Sequence, residues 1–204
     1  MTKQVEFCFD VISPAAYIAW HILPKIAERA GAEILFTPIF LGGVMQATGN
    51  RPPGTVEAKG AWMKRDLARW AKMYGLPYQR NSIFPQKTLT HMRGVVAHQD
   101  TEVFQPLVTA LYKALHEDDL NVEEATVTAK ILGDVGLDPT EFLERAADQS
   151  VKDTLKANTD DAVARGVFGA PSFFVDGVMH WGQDRMFMVA EDLGTTLCEI
   201  QAGG

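Results

Sequence analysis

The chain has 204 residues, of which 47% are hydrophobic and 22% charged; that is enough apolar side chain for one large domain, or for a smaller domain carrying an insertion. Its formal net charge of −7 argues against nucleic acid and anionic membrane as partners, because both are polyanions. An anionic ligand must therefore be held by a local cluster of donors.

Cys8 and Cys198 lie in apolar sequence with no C-x-x-C and no metal-type spacing. Buried, inert thiols are the expectation, no metal site is expected, and nothing calls for a disulfide. The N-terminal segment has no basic stretch leading into a long apolar one. No apolar run approaches the ~18 residues of a spanning helix. A cytoplasmic protein without a membrane partner is expected.

Residues 3–11 read as a strand, since Val5, Phe7, Phe9 and Val11 alternate with more polar neighbours. Ser13 is a favoured N-cap, and Pro14 at the next position loses no intrahelical bond. A helix over 14–30 follows, with Tyr17, Trp20, Ile22, Leu23, Ile26 and Ala27 as its apolar stripe and Gly31 at its end. Residues 33–40 form a second strand, so a right-handed crossover and parallel pairing are expected. Leu41 to Thr55, rich in Gly and Pro, reads as a long loop. From 57 to 149 the period is helical. Met63, Leu67, Trp70, Ala71 and Tyr74 share one face, and Phe104, Val108, Leu111 and Leu115 another. Asn121 with Glu124, and Asp138-Pro139 with Glu141, are capping signatures that open two more helices. Val151, Leu155, Asn158 and Ala162 line a further helix ending near Gly166. Asp176-Gly177 predicts a two-residue hairpin turn. Gln183-Asp184-Arg185 starts a last helix with Met186, Val189, Leu193 and Leu197 inward.

This order, β-α-β, a helical block, then helix, Gly-Ala-Pro, hairpin and helix, resembles a thioredoxin-like fold of the α/β class with an inserted all-helical domain. Residues 1–42 and 150–204 would form the thioredoxin-like domain and 43–149 the insertion. In that fold the proline matching Pro171 is cis and faces the first helix, so a cis Ala170–Pro171 bond is expected. Phe9-Asp10-x-x-Ser13-Pro14-x-x-Tyr17, Gly49-Asn50-Arg51-Pro52-Pro53, Lys59, Phe84-Pro85-x-x-Thr88-Leu89, Arg93, Gly166 to Pro171 and Trp181 to Arg185 together resemble one family over nearly the whole chain. It is that of the 2-hydroxychromene-2-carboxylate isomerases, relatives of kappa-class glutathione transferases. The resemblance implies glutathione bound between the two domains, a small aromatic carboxylate substrate and a homodimer. It implies that Ser13 holds the glutathione sulfur, that Ala170, ahead of Pro171, pairs its backbone with the cysteinyl unit, that Asn50 and Lys59 hold the peptide, and that Gln183 and Asp184 receive the γ-glutamyl end.

The residue types suit that chemistry. A thiol attacks as its thiolate, and lowering a thiol pKa by two units takes roughly 2.7 kcal/mol. A hydrogen bond from the Ser13 hydroxyl to an anion supplies ~1.5–3 kcal/mol, and the Ala15 and Ala16 amides at the helix start ~0.3–2 kcal/mol. Other readings stand beside these. Lys59 also suits a solvated helix start, Asn50 a turn, and Asp184 an N-cap. Arg51, Arg93 and Arg185 suit either an anionic substrate or surface ion pairs. His91 and His98 lack further metal ligands. Trp20, Trp62, Trp70 and Trp181 are expected in the core or a domain interface, with one or two lining a substrate pocket. Ala16, three residues after Ser13, removes dithiol exchange, and Ala15 stands where the family often has an aromatic residue. A kappa-like transferase and a non-catalytic thioredoxin-like binding module are the alternative functions.

Overall fold

The computed structural model describes residues 3–197; Cys198, and with it any expectation about that thiol, lies outside the described residues. A four-stranded sheet has the order β2-β1-β3-β4. β1 (Lys3–Phe9) runs parallel to β2 (Ala32–Pro38) and antiparallel to β3 (Ser172–Val175), which pairs with β4 (Val178–Trp181). Phe7 is in register with Phe36 on one side and Phe173 on the other, with ring centroids at 6.4 and 5.3 Å. Trp20 and Phe104 complete the aromatic cluster above that face. On the opposite face Cys8 packs with Ile39, Val44, Ala162, Val167 and Phe174. β1 is thus buried on both faces, as a central strand must be.

α1 (Pro14–Ala30) begins as its sequence predicts. Ser13 Oγ accepts from Ala16 N–H, and Gly31 closes the helix at φ 61°, a left-handed conformation that glycine adopts without a Cβ clash. The 41–55 segment differs from the expected loop. Leu41–Thr48 is a helix, α2, and only Pro53–Thr55 after it makes a 3-10 turn. The prolines lie beyond the helix, so they do not break it. The low helix propensity of Gly42-Gly43 is overridden by tertiary contacts: the Asp10 carboxylate receives Leu41 N–H at 2.9 Å, Thr159 Oγ1 receives Phe40 N–H at 3.0 Å, and Val44 is buried.

α3 (Glu57–Met73), α4 (Leu89–Ala97), α5 (Phe104–His116), α6 (Ala125–Asp134), α7 (Pro139–Ala147) and α8 (Gln149–Ala164) follow. Asp138 caps α7 by accepting from Thr140 and Glu141 N–H at 2.9 Å. Asn121 does not cap α6. It bonds Glu123 N–H and the Glu124 carboxylate in a preceding turn, and the helix starts at Ala125. Asp176 and Gly177 both have positive φ, 48° and 82°, the geometry a two-residue hairpin requires. After a 3-10 turn over Gln183–Arg185, α9 spans only Met186–Asp192; Leu193 and Leu197 are buried beyond its end. Trp20 is in the core as expected, whereas Trp62 and Trp181 are 51% and 40% exposed. Trp62 lies on the solvent side of α3, and Trp181 ends the edge strand.

Candidate active site

Ser13 stands between the end of β1 and the start of α1, and its hydroxyl is fully engaged. It accepts from Ala16 N–H at 3.2 Å and donates to the Ala170 carbonyl at 2.8 Å. Ala170–Pro171 is cis, as is Phe84–Pro85. The serine and the cis-proline loop, 157 positions apart in sequence, therefore meet as anticipated. Ser13 is nevertheless only 5% exposed, so the hydroxyl is capped by Ala170 and is not an open donor at a cleft mouth. Of the two helix-start amides assigned to anion binding, that of Ala16 is taken by Ser13 itself. Pro14 has none, and Ala15 N–H is the one left without an intramolecular partner among the described residues.

Asn50 follows Gly49, the left-handed end of α2. Its Nδ2 donates to the Phe168 carbonyl at 2.7 Å and its Oδ1 accepts Arg51 N–H at 2.8 Å. It is both a turn residue and a clamp on the segment leading to Pro171. Gly182 N–H donates to the Pro171 carbonyl at 3.0 Å, which brings Gln183 and Asp184 next to the cis-proline. Gln183 is buried, and the Asp184 carboxylate pairs with its neighbour Arg185. Gly182 has φ 96°, a conformation that strains any residue with a Cβ, and a Cβ there would lie 2.5 Å from Asp184 Oδ1, so the carboxylate would also have to shift. Ser13, Asn50, Ala170, Pro171, Gln183 and Asp184 are thus linked through one short loop. Lys59 is separate. Exposed in the first turn of α3, it lines a groove of about 440 Å³ with Pro53, Ala58, Trp62 and Met63.

Asp10, quoted in the sequence only as part of the Phe9-Asp10-x-x-Ser13 motif and given no role there, underlies this site. Its carboxylate is completely buried and accepts Ile12 N–H at 3.1 Å, Leu41 N–H at 2.9 Å and the Thr88 hydroxyl at 3.2 Å. Those donors belong to the Ser13 turn, the start of α2 and the approach to α4. Burial pushes its pKa up to about 6, against which the three hydrogen bonds act. The turn after it is held equally firmly: His116 Nε2–H donates to the Val11 carbonyl at 2.8 Å, and Val11 N–H meets Met92 Sδ at 3.4 Å. Burial lowers the His116 pKa to about 4, so its ring is neutral. The available signal in the sequence was a lone carboxylate ending an apolar strand, since a charge at such a position is rarely left without partners.

The two candidate histidines are buried in the packing of the helical block. His91 Nε2 lies 3.0 Å from Thr128 Oγ1 and His98 Nδ1 2.8 Å from the Gly94 carbonyl; no group of three metal-ligating side chains occurs among the described residues. A recess of about 300 Å³ between α4, α6 and α7, lined by His91, Thr128, Leu132 and Phe142 among others, holds none of the predicted site residues. Arg51 is exposed and Arg93 half-buried. Cys8 is buried, and that burial, followed by the Glu6 charge, drives its thiol pKa upward, which makes it a poor nucleophile. No helix among the described residues is long and apolar enough to cross a membrane.

Residues 4–194 match the DSBA-like thioredoxin domain family. The 2-hydroxychromene-2-carboxylate isomerase of Sphingobium xenophagum is 35% identical over 191 residues, covering 91% of this chain and 95% of its own. Glutathione S-transferase kappa 1 of Caenorhabditis elegans is 31% identical over 202 residues, covering 92% and 89%. The solved structure of a 2-hydroxychromene-2-carboxylate isomerase superposes with a TM-score of 0.84 at 27% identity over 98% of each chain. With the cis-proline loop closed over a serine-capped helix, the chain belongs to the DSBA-like thioredoxin domain family, and within it to the 2-hydroxychromene-2-carboxylate isomerases and kappa-class glutathione transferases.

Proposed function

We propose that this protein is a glutathione-dependent isomerase that converts 2-hydroxychromene-2-carboxylate, or a similar intermediate of aromatic breakdown, to the trans-o-hydroxybenzylidenepyruvate form. The observation that carries this reading is the Ser13 hydroxyl at a helix start, 2.8 Å from the carbonyl of the residue before a cis-proline, with Ala16 in place of a second thiol. Glutathione, when bound, supplies a thiolate whose reversible addition to the conjugated ketoacid turns a double bond into a rotatable single bond. Ser13 donates to the sulfur by turning its one proton away from the Ala170 carbonyl, to which it is otherwise bonded, and Ala15 N–H adds the charge of the helix start. Ala170 N–H, which has no intramolecular partner among the described residues, is a donor suited to a peptide carbonyl. Asn50, Gln183 and Asp184 line the same loop and hold the tripeptide, with the Asp184 carboxylate attracting its ammonium group. Lys59, on the exposed groove beside Trp62, supplies a point charge for a carboxylate. The ligand would sit between a thioredoxin-like domain of residues 1–42 and 150–204 and a helical domain of 43–149. We expect the enzyme to act in the cytoplasm as a homodimer.

Incubation with 2-hydroxychromene-2-carboxylate tests this: the ultraviolet-visible spectrum should change only when glutathione is present, with no net loss of the thiol. An unchanged spectrum defeats the isomerase. The kappa-class relative, at 31% identity over nearly the same span, favours a second reading, a transferase, which stoichiometric consumption of glutathione with an electrophile would reveal. If calorimetry detects no glutathione binding, both readings give way to a non-catalytic thioredoxin-like module.

A further inference from the structure

The recess between α4, α6 and α7 has at its wall a polar side chain that the protein leaves incompletely bonded. His91 is 5% exposed, its Nε2 lies 3.0 Å from Thr128 Oγ1, and its Nδ1 is buried with no hydrogen-bond partner among the described residues. Both His91 and Thr128 line the recess. The tautomer follows from the next bond along. Thr128 Oγ1 lies 2.8 Å from the Val122 carbonyl, which has no proton to give, so the hydroxyl donates there and accepts from His91. Nε2 therefore carries the ring proton, and Nδ1 presents a bare lone pair. Beyond Thr128 the bonding is closed: Val122 N–H donates to Gln86 Oε1 at 2.7 Å, and Gln86 Nε2 donates to Asn81 Oδ1 and the Leu120 carbonyl. Burial holds the His91 pKa at about 4, against the charge of Glu123, so Nδ1 stays an acceptor near neutral pH. A buried acceptor without a donor is costly. Water suits it poorly, because a buried water needs about two to four polar partners and Leu132, Pro139, Phe142 and Leu143 form much of the lining.

We propose that this recess is a second binding site, for one-ring phenols, in which the ligand hydroxyl donates to His91 Nδ1 and the ring packs on Leu132 and Phe142. The volume of about 300 Å³ stands at the lower end of small-ligand pockets, roughly 300–1,000 Å³, which suits a single ring. The lone pair selects a donor that keeps its proton at neutral pH. A phenol, with a pKa near ~10, does so, whereas a carboxylic acid is ionised. A carboxylate would set its own lone pairs against Nδ1 and meet Glu123, which accepts Lys87 N–H at 3.0 Å beside the recess. An ammonium group would lose its hydration against apolar walls. Because Nδ1 is covered, the ligand reaches it by turning aside a side chain of the wall, and Leu143, 51% exposed, has space to turn into. The proposal does not rest on the glutathione reading, since none of the residues assigned to that ligand lines the recess.

Phenol and toluene, equal in size but unequal in having a proton to donate, test the site on the intact protein near pH 7. Titrated into protein with nitrogen-15-labelled histidines, phenol should bind and shift the Nδ1 resonance of His91. Toluene should leave that resonance in place, because it brings no donor. His91→Phe keeps a ring and removes the acceptor. By calorimetry its affinity for phenol should fall about tenfold or more, the loss of one hydrogen bond at a buried group, while toluene binds as well as before or better. Failure of phenol to bind the wild type overturns the proposal, and so does phenol binding that leaves Nδ1 unmoved. Both results come from the wild type, so they stand even if His91→Phe does not fold. An equal loss of phenol and toluene in the folded variant would mean that His91 only shapes the wall, and would overturn the proposal as well.

Discussion

Replacing Asp10 with Asn removes the charge at the junction of β1, α2 and α4 while keeping the shape. At pH 8 the wild-type carboxylate is ionised, and its burial works against its three hydrogen bonds. In Asp10→Asn one of those donors, Leu41 N–H or its neighbours, faces an amide NH2, and leaving a buried donor unmet costs about 1–3 kcal/mol. The pH dependence is the sharper quantity. The folded pKa of about 6 lies above the ordinary 3.8, so between those values the folded state holds more protons than the unfolded state, and stability falls as pH rises. Linkage with those two values gives roughly 1.4 kcal/mol lost by the wild type between pH 5 and pH 8. The variant lacks this loss, and the neutral histidines cancel in the comparison. Urea unfolding of both proteins at pH 5, 6, 7 and 8 should show the wild-type advantage shrinking by about that amount towards pH 8. A constant difference across the range would refute the account of Asp10 as a buried, partly protonated anchor.

His91 and His116 have the opposite sign: burial lowers each to about 4, below an ordinary imidazole, so their stabilisation is lost as pH falls from about 6.5 towards 4. Their imidazole proton resonances should stay flat from pH 8 to pH 5; titration of either near pH 6.5 contradicts the burial argument. At Gly94 a Cβ would lie 1.9 Å from the Phe142 ring, which is buried and stacks on His98. Gly94→Ala should therefore destabilise by roughly 1–3 kcal/mol through overpacking, even after the ~1 kcal/mol that alanine gains in a helix, and thermal unfolding that shows a more stable variant would rule this out. In a Cys198→Ser protein, Cys8 should resist a thiol-reactive dye in native buffer and react at once in denaturant, since its thiol is buried and its ionisation suppressed; rapid native labelling would count against that.

Local chemistry was legible in the chain. Ser13-Pro14, Asp138-Pro139 and Asp176-Gly177 each carry their own hydrogen bonds or backbone angles within a few residues, so any reader of caps and turns finds them. The stripes of α1 and α5 follow from period alone, because a helix must bury one face. Even the cis bond at Pro171 was expected, through the fold that the order of elements resembles.

Only the tertiary structure decided how the site is wired. α2 forms because Asp10, 31 positions earlier, caps it, not because Gly42-Gly43 favour a helix. The Asn50 amide and the Ser13 hydroxyl find carbonyls 118 and 157 positions away. Periodicity cannot encode such pairings, since a side-chain hydrogen bond depends on which backbone atoms the packed core brings within 3 Å. Ser13 could thus be recognised as a cap from its neighbours, but that its proton is already held by Ala170 follows from the way the sheet places β3 beside β1.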